Sequence, residues 1–273
     1  MRYGILADVH GNLDALEIAL ATLRDGGADR FLCAGDLVGY GAHPNECVEL
    51  VASIGAVCVA GNHDLIAIER LSADTAGTRA RVSLEWTTKA LGADTRAFLA
   101  ALPLRADVGR DVVMAHGSLD DPREYTRNGR RAARQLERLA THRSDARLLV
   151  LGHTHRAAAW RSTGQRCRPA RDGSVTLNTS ERYVLNPGGA GHSLERTLRS
   201  RCMLLDTDAR VATFYALMYD VDAARHGLAR ARLPLDSYHQ PASHVRTGLR
   251  RARRVPQRAG RALARRRLQG SAE

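Results

Sequence analysis

The sequence predicts an α/β fold in which two sheets pack against each other. The first 60 residues alternate apolar strand-like runs with helical repeats, the β-α-β-α-β order of a parallel sheet with right-handed crossovers. Residues 65–102 carry helical periodicity, and we expect two or three helices over one side of that sheet. Later runs are short and separated by turn residues, which indicates a second, more antiparallel sheet.

The early elements have clear start and stop signals. The helix that begins near Leu13 ends at Gly26-Gly27, because glycine favours a helix terminus. Pro44 suits the first turn of the next helix, since its missing N–H is not needed there. In chain order, we predict a strand before Asp8, a helix from Leu13, a strand at 30–34, a helix at 44–54, a strand at 56–60, helices within 65–102, a strand at 111–115, a helix at 129–140, strands at 147–151, 157–160, 174–177, 182–185, 202–206 and 211–218, and a helix at 221–231.

Polar side chains follow five of these strands where each strand ends. Open α/β sheets bind ligands at the carboxyl ends of their strands, so we expect these groups to share one crevice. Asp8 and His10, two residues apart, should point to the same side of an extended chain. Taken singly, Asp8 could cap a helix, Asp36 could be a turn residue and His116 an interior histidine. The set comprises Asp8, His10, Asp36, Asn62, His63, His116, His153 and His155.

The chemistry of this set favours a metal centre. Carboxylate, imidazole and amide oxygen together suit manganese, iron or zinc rather than copper or an iron–sulfur cluster. Seven or eight donors exceed what one tetrahedral ion accepts. The sequence therefore predicts two ions.

These polar residues fall into five short motifs. They are Asp8-Val9-His10, Gly35-Asp36, Gly61-Asn62-His63-Asp64, His116 and Gly152-His153-Thr154-His155. In this order they resemble the five blocks of the calcineurin-like metallophosphoesterase superfamily, over residues 1 to about 220. The resemblance implies a four-layer α/β/β/α sandwich of two packed mixed sheets. It also implies a metal-dependent phosphoric ester hydrolase.

The resemblance further implies how the metals are held. Asp8, His10 and His155 would hold one ion, and Asp36 would bridge it to the second, because two close cations repel unless an anion lies between them. The ligands of the second ion would be Asn62, His116 and His153. The two divalent or trivalent ions would be manganese, iron, zinc or nickel, and a hydroxide that they share would attack phosphorus in line with the leaving oxygen.

Two further residues are implied to be catalytic. His63 would face the leaving group, without binding metal, as a general acid or transition-state stabiliser. Asp64 would orient the His63 imidazole and raise its pKa.

Differences from the motifs of related groups narrow the subfamily that this sequence resembles. Protein serine/threonine phosphatases and symmetrical dinucleoside tetraphosphatases place an arginine shortly after the second-block aspartate and end the third block in glutamate. Here Asp36 precedes Leu-Val-Gly-Tyr-Gly and the third block ends in Asp64, so that phosphate-clamping arginine is missing. Residues 39–46 and 186–189 instead resemble a group of small bacterial phosphodiesterase-like proteins, some described as diadenosine tetraphosphatases. That group has Asn-Pro-Gly-Ser where this chain ends the turn in Gly189.

The connection 156–182 is longer and more basic than is usual in that group. One interpretation is a solvated surface loop. The other is that Arg166, Arg168 or Arg171 folds over an anionic substrate.

The positive charge is concentrated at one end of the chain. Residues 246–273 contain ten arginines and one acid, a net +9 of the total +12. We expect a metallophosphoesterase domain over 1–235 and an Arg-rich, flexible extension over 236–273. Such an extension can be without a packed role, or can attract nucleic acid or anionic lipid. Its aromatic content is almost limited to Tyr238, which gives no support for base stacking.

Composition indicates a cytoplasmic protein. No apolar run reaches the roughly 18 residues of a membrane helix, and the first residues enter a strand without a charged leader. Five cysteines without a C-x-x-C pair fit reduced thiols. His43 is close enough to Asp36 in sequence to approach the site. The remaining histidines outside the motifs, expected at the surface or in local hydrogen bonds, are His142, His192, His226, His239 and His244.

Three functions follow from these observations. The leading one is a dinuclear-metal phosphoesterase, which we expect to be a phosphodiesterase acting on a phosphate-ester substrate. The second is a nuclease-like enzyme that the basic extension directs to nucleic acid. The third is a non-enzymatic scaffold with the same fold, which is disfavoured because such members usually lose His63 or metal ligands and this chain keeps them all.

Overall fold

The computed structural model describes residues 1–74 and 76–239. The strands of this part are β1 (Arg2–Leu6), β2 (Arg30–Cys33), β3 (Val57–Cys58), β4 (Arg105–Val108), β5 (Val112–Ala115), β6 (Leu148–Val150), β7 (Ala158–Arg161), β8 (Arg166–Cys167), β9 (Ser174–Thr176), β10 (Tyr183–Asn186), β11 (Ser200–Asp206) and β12 (Val211–Leu217). The helices are α1 (Leu13–Asp25), α2 (Pro44–Ser53), α3 (Asn62–Ala67), α4 (Thr78–Ala90), α5 (Ala93–Ala101), α6 (Gly129–His142) and α7 (Val221–Arg230).

The strands form two mixed sheets of six. The first has the order β3-β2-β1-β11-β12-β9, and the second β4-β5-β6-β10-β7-β8. Strands β1, β2 and β3 run parallel, as the opening pattern predicts, and β5, β6 and β10 are parallel in the second sheet. The carboxyl ends of both parallel groups carry the predicted site residues.

Side chains of successive strand residues pack on opposite faces of each sheet, and this alternation determines the layers of the fold. Ile5 and Met114 lie in the apolar core between the two sheets. Their neighbours face outward: Leu6 packs in the core that contains α1 and α2, while Val113 packs with Leu136 of α6. Since successive strand residues point to opposite faces, each sheet buries both of its faces. The predicted four-layer α/β/β/α sandwich is confirmed.

The later strands differ from the prediction in one respect. Instead of forming a separate sheet, they divide between the two sheets: β11 pairs antiparallel with β1, whereas β10 pairs parallel with β6. Short turn-separated runs do not specify which existing edge they join, so tertiary packing makes this choice. Strands β4 and β8 were not predicted, because two to four mixed residues carry too little periodicity.

Residues 236–239, which the sequence assigns to the extension, pack against the domain. Tyr238 is buried, and its hydroxyl accepts a hydrogen bond from the Ala42 N–H at 3.2 Å and donates one to the Gly11 carbonyl at 3.3 Å. The chain is thus packed as far as His239, which bridges to Ser193. Residues 240–273 lie outside the described part, and the predictions made for the basic extension remain predictions.

Two further observations concern the whole described part. Across residues 1–74 and 76–239, none of the helices combines the length and apolarity needed to cross a membrane. All five cysteines are free thiols, and four of them are buried.

Candidate metal centre

The predicted site residues converge at the carboxyl ends of both sheets. Asp8 follows β1, Asp36 follows β2, and Asn62, His63 and Asp64 form the first turn of α3. The histidines His116, His153 and His155 follow β5 and β6 of the other sheet. All nine side chains, His10 included, are at most 8% exposed. The structure therefore brings the whole set into one buried cluster.

Five of these residues have a left-handed backbone. The φ angles are 56° at Asp8, 51° at His10, 57° at Asp36, 63° at His153 and 55° at His155. Such angles are uncommon outside glycine and store strain at functional sites. The expectation that Asp8 and His10 share one side of an extended strand was wrong, because β1 ends at Leu6 and a tight turn follows.

Hydrogen bonds between neighbouring loops hold this strained backbone. Asp8 N–H donates to the Gly35 carbonyl at 2.9 Å, and His10 N–H donates to the Asp36 carbonyl at 2.9 Å. Asp36 Oδ1 accepts from His63 N–H at 2.8 Å, and Asp8 Oδ1 accepts from His153 N–H at 3.0 Å. Each carboxylate thus has one oxygen fixed by backbone, while its Oδ2 is buried and has no hydrogen-bond partner in the described part of the chain.

Four imidazoles are anchored to backbone carbonyls through one ring nitrogen. Nδ1 of His10 lies 3.2 Å from the Val38 oxygen, and Nδ1 of His116 lies 2.6 Å from the Ala34 oxygen. His155 Nδ1 lies 3.0 Å from the carbonyl of residue 192, and His153 Nε2 lies 3.1 Å from that of residue 123. A carbonyl only accepts, so each anchored nitrogen carries the proton and the other ring nitrogen presents a lone pair. This is how metal-binding histidines are oriented in proteins.

The lone pairs and free oxygens face one another. Nε2 of His10 and Nε2 of His155 are 3.3 Å apart, and His155 Nε2 is 3.4 Å from Asp8 Oδ1. Asp36 Oδ2 lies 3.6 Å from His10 Nε2 and 3.2 Å from His116 Nε2. Donor atoms of this kind repel unless a cation or a proton lies between them. The donor set therefore fits metal ions.

The donors form two groups that share one residue. Asp8, His10, Asp36 and His155 offer atoms within 4.8 Å of one another, as do Asp36, His116 and His153. Asn62 joins the second group, with its Oδ1 3.2 Å from His116 Nε2. Both groups could hold a metal ion.

The electrostatics of the cluster keep most of its histidines neutral. Burial lowers the pKa of His153 to about 2 and that of His155 to about 4. Burial also lowers the pKa of His116, but the carboxylates of Asp36 and Asp8 oppose it and raise the value to about 9. Among these three histidines, His116 is the one that binds a second proton when no metal is bound, because it lies beside the carboxylates of Asp36 and Asp8. A metal cation at this position would stabilise both carboxylates in place of that proton.

Asp64 does not have the contact that the sequence analysis expected. Its carboxylate accepts hydrogen bonds from the N–H groups of Asp36 at 2.8 Å, Val38 at 3.1 Å and Gly61 at 2.9 Å. His63 Nδ1 has no hydrogen-bond partner within residues 1–74 and 76–239, so Asp64 does not bond to that nitrogen. Burial lowers the pKa of His63 instead of the expected rise. Asp64 therefore fixes the loop that carries Asp36.

His63 has a site of its own beside the cluster. Its ring packs against His10 and Tyr40, with centroid distances of 4.7 Å and 4.9 Å, and its Nδ1 has no hydrogen-bond partner. Gly39, at φ 131°, makes room for it: a Cβ there would lie 2.6 Å from His63 Nδ1.

His192 also lies beside the cluster, although the sequence did not predict it there. This histidine, expected at the surface or in a local hydrogen bond, is 2% exposed and packs against Tyr40 and His155 with centroid distances of 4.4 Å and 4.7 Å. Its position three residues after Gly189, in the turn that resembles a family motif, was the available signal. His43, in contrast, turns away from the site toward Glu46 and Gly227.

A second missed feature is the loop before α6. Tyr125 stacks on His153 with a centroid distance of 3.8 Å, and the Arg127 guanidinium lies 3.6 Å from the Tyr125 centroid on that ring. Within residues 1–74 and 76–239, no carboxylate forms an ion pair with Arg127. Since Arg127 is exposed, a cation stands at the edge of the cluster.

The basic connection 156–182 contains the hairpin of β7 and β8 and then β9, which pairs with β12 in the other sheet. Arg166 folds back on the hairpin, donating to the Ala157 carbonyl at 3.0 Å with its guanidinium 5.6 Å from the Trp160 ring centroid. Arg166 and Arg168 line a surface cavity of about 940 Å³ whose lining includes none of the nine site residues. A role for Arg166, Arg168 or Arg171 over an anionic substrate remains a prediction.

Comparison with known proteins agrees with this geometry. Residues 1–210 match the calcineurin-like phosphoesterase superfamily domain. The crystal structure of a metallophosphoesterase from Sphaerobacter thermophilus has a TM-score of 0.75 and 34% identity, covering 88% of this chain and 98% of that one.

Two sequence relatives extend the comparison. An uncharacterized protein of Methanocaldococcus jannaschii is 27% identical over 238 residues, 84% of this chain and 93% of the relative. A symmetrical bis(5'-nucleosyl)-tetraphosphatase of Sodalis glossinidius is 34% identical over 155 residues, and this match spans 54% of this chain and about half, 52%, of that relative. With the family match over most of its length, the chain belongs to the calcineurin-like phosphoesterase superfamily and is a metal-dependent phosphoric ester hydrolase.

Proposed function

We propose that the protein is a dinuclear-metal phosphodiesterase. Asp8, His10 and His155 would hold one ion, and Asn62, His116 and His153 would hold the second. Asp36 would serve both ions. When bound, the two ions acidify water and neutralise charge on the phosphoryl group.

The observation that carries this proposal is the anchoring of four imidazoles. Each has one nitrogen on a backbone carbonyl. Each also offers a ring nitrogen to a group of donors that contains Asp8 or Asp36. An interior histidine would gain nothing from facing lone pairs of its neighbours, whereas a ligand needs this arrangement before the metal arrives. The sharing of Asp36 Oδ2 between His10 and His116 supports two ions instead of one.

His63 serves the leaving group in this proposal. Since burial lowers its pKa, the imidazole is neutral at pH 7 and offers one N–H. It donates that hydrogen bond to the ester oxygen on which negative charge develops. Gly39 and Tyr40 hold the ring in place beside His10.

The charge around the cluster favours a diester. A phosphodiester carries one negative charge and a phosphomonoester close to two, so a monoesterase needs more cationic groups around the phosphate. The arginine that clamps phosphate in protein phosphatases is missing after Asp36. Arg127, held on Tyr125 next to His153, supplies a cation at the edge.

The test is hydrolysis of bis(p-nitrophenyl) phosphate and p-nitrophenyl phosphate at equal concentrations, with metal-free protein reloaded with Mn²⁺, Zn²⁺ or Ni²⁺. We expect the diester to be cleaved with the higher kcat/KM, and cleavage to be lost on chelation and restored by metal. A higher kcat/KM for the monoester would overturn the diester assignment. Activity that survives complete chelation would overturn the metal assignment.

A further inference from the structure

Beside the proposed dinuclear centre lies a buried imidazole that the family motifs do not include. We propose that His192 is an additional nitrogen ligand of the ion held by Asp8, His10 and His155, which makes that ion's environment richer in nitrogen than its neighbour's. The inference rests on the proposed function, since it concerns the same centre.

The first observation is the isolation of the His192 ring nitrogens. The side chain is 2% exposed, and neither Nδ1 nor Nε2 has a hydrogen-bond partner within the described residues. A buried polar group left unsatisfied costs about 1–3 kcal/mol, so such groups in native proteins normally have a partner. A metal ion would accept one of these nitrogens as a ligand.

The second observation is the direction of the ring. His192 lies among the rings of His10, Tyr40 and His155, with centroid distances of 5.7 Å, 4.4 Å and 4.7 Å. One ring nitrogen of His192 lies within 4.8 Å of a nitrogen of both His10 and His155. Ligands on opposite sides of one ion, at about 2.1 Å each, are about 4.2 Å apart, so a small ring movement suffices.

The third observation is the backbone that carries His192. Ala190 N–H donates to the Ala7 carbonyl at 2.9 Å, and Gly191 N–H donates to the Asp8 carbonyl at 3.0 Å. The carbonyl of His192 itself anchors His155 Nδ1. Residue 192 is thus fixed to the end of β1 and to an adjacent histidine, independently of its side chain.

Two glycines make this approach possible. A Cβ at Gly189 would clash with the His192 carbonyl oxygen, and a Cβ at Gly191 would clash with the Val9 carbonyl oxygen. Gly189 is the position at which this chain departs from the serine of its subgroup. The departure is explained by close packing of the turn that carries His192.

A third imidazole would also change which metal this site prefers. Imidazole suits zinc, nickel and cobalt better than manganese, which prefers oxygen ligands. We therefore expect the metal site nearest His192 to bind zinc in preference to manganese. The other metal site, in which Asn62 and Asp36 accompany two histidines, should have a weaker preference for zinc.

The test is metal binding by the full chain, followed with a chromophoric chelator as competitor for Zn²⁺ and for Mn²⁺. We expect wild type to bind two Zn²⁺. In His192→Phe, which keeps an aromatic ring but no nitrogen, one Zn²⁺ site should weaken at least tenfold while Mn²⁺ binding weakens less than threefold. His43→Phe, outside the cluster, is the matched control and should match wild type.

Further readouts keep the proposal open to refutation. The Co²⁺-loaded wild type and His192→Phe should differ in their visible d–d bands, and His192→Gln, which retains a donor atom, should bind Zn²⁺ with intermediate affinity. Unchanged Zn²⁺ affinity and unchanged Co²⁺ bands in a folded His192→Phe would overturn the proposal. A wild-type protein that binds only one Zn²⁺, with an affinity that depends on His192, would support the role of His192 as a ligand. The same result would refute the dinuclear centre.

Discussion

Six buried histidines surround the candidate centre, and they differ in how they are held. His10, His116, His153 and His155 each spend one nitrogen on a backbone carbonyl. The other two, His63 and His192, are positioned by ring packing alone. Anchored imidazoles have a fixed tautomer and direction, whereas packed ones retain freedom to move a proton or adjust to a ligand. The difference separates four imidazoles that are oriented before a metal arrives from two whose rings can still adjust.

The strongest test of the anchored group is removal of the carboxylate that it surrounds. Asp36→Asn should lower kcat/KM at least about 10³-fold and remove one or both ions, because loss of indirect support alone costs about 10–100-fold. Metal content by elemental analysis and diester hydrolysis are the measurements. Full activity with two bound ions would show that the cluster is not the reaction centre.

The unanchored His63 should behave differently. His63→Ala should lower kcat about 10²–10³-fold, the usual effect of losing one hydrogen-bond donor to a developing negative charge, while both ions remain bound. The deficit should shrink for substrates with an acidic leaving alcohol, because that oxygen needs less stabilisation. If the variant loses metal in proportion to activity, His63 belongs with the anchored group.

Replacing Asp64 tests whether the residues that hold the loop backbone are distinct from those that take part in the reaction. Asp64→Ala leaves three buried N–H groups without an acceptor, and we expect the free energy of unfolding to fall by about 2–5 kcal/mol. Denaturant unfolding of the metal-free protein measures this. Asp172→Asn, an exposed aspartate that accepts from Ser174 N–H at 3.0 Å, is the control and should change stability by less than about 0.5 kcal/mol.

Gly39 lies beside one histidine of each group, the carbonyl-anchored His10 and the packed His63. A Cβ there would lie 2.6 Å from His63 Nδ1 and 3.0 Å from His10 Nδ1, on a backbone with φ 131°. Gly39→Ala should reduce kcat/KM about tenfold by displacing both rings, and cost about 1–3 kcal/mol of stability. Gly55→Ala, with φ 61° but open space, separates backbone strain from ring displacement and should leave activity intact.

The smallest effect is expected at the edge of the cluster. Arg127→Met should raise KM for a diester about fivefold, equivalent to about 1 kcal/mol, with kcat little changed, because an exposed cation steers and holds an anion without entering the reaction. Raising the ionic strength should reduce the difference. Arg130→Met, on α6, carries the same change of charge and should have no effect; equal KM changes in both variants would contradict a specific contact.

The order of residues along the chain determined much of this protein. Apolar runs, glycine stops and the five polar motifs predict the helices, most strands, the two sheets and all nine members of the buried cluster. This is possible because strand and helix periods are local, and because parallel strands must deliver their carboxyl ends to one edge.

Tertiary structure alone decided which sheet each late strand joins, the left-handed turns at Asp8 and His10, and the contacts of Asp64. It also decided that His192 lies beside the candidate metal centre and that His43 lies away from it. These outcomes depend on contacts between residues far apart in sequence, such as His155 with the carbonyl of residue 192 or Asp64 with the N–H of Asp36. No local pattern records such contacts, because their free energy exists only once the loops of both sheets have been brought together.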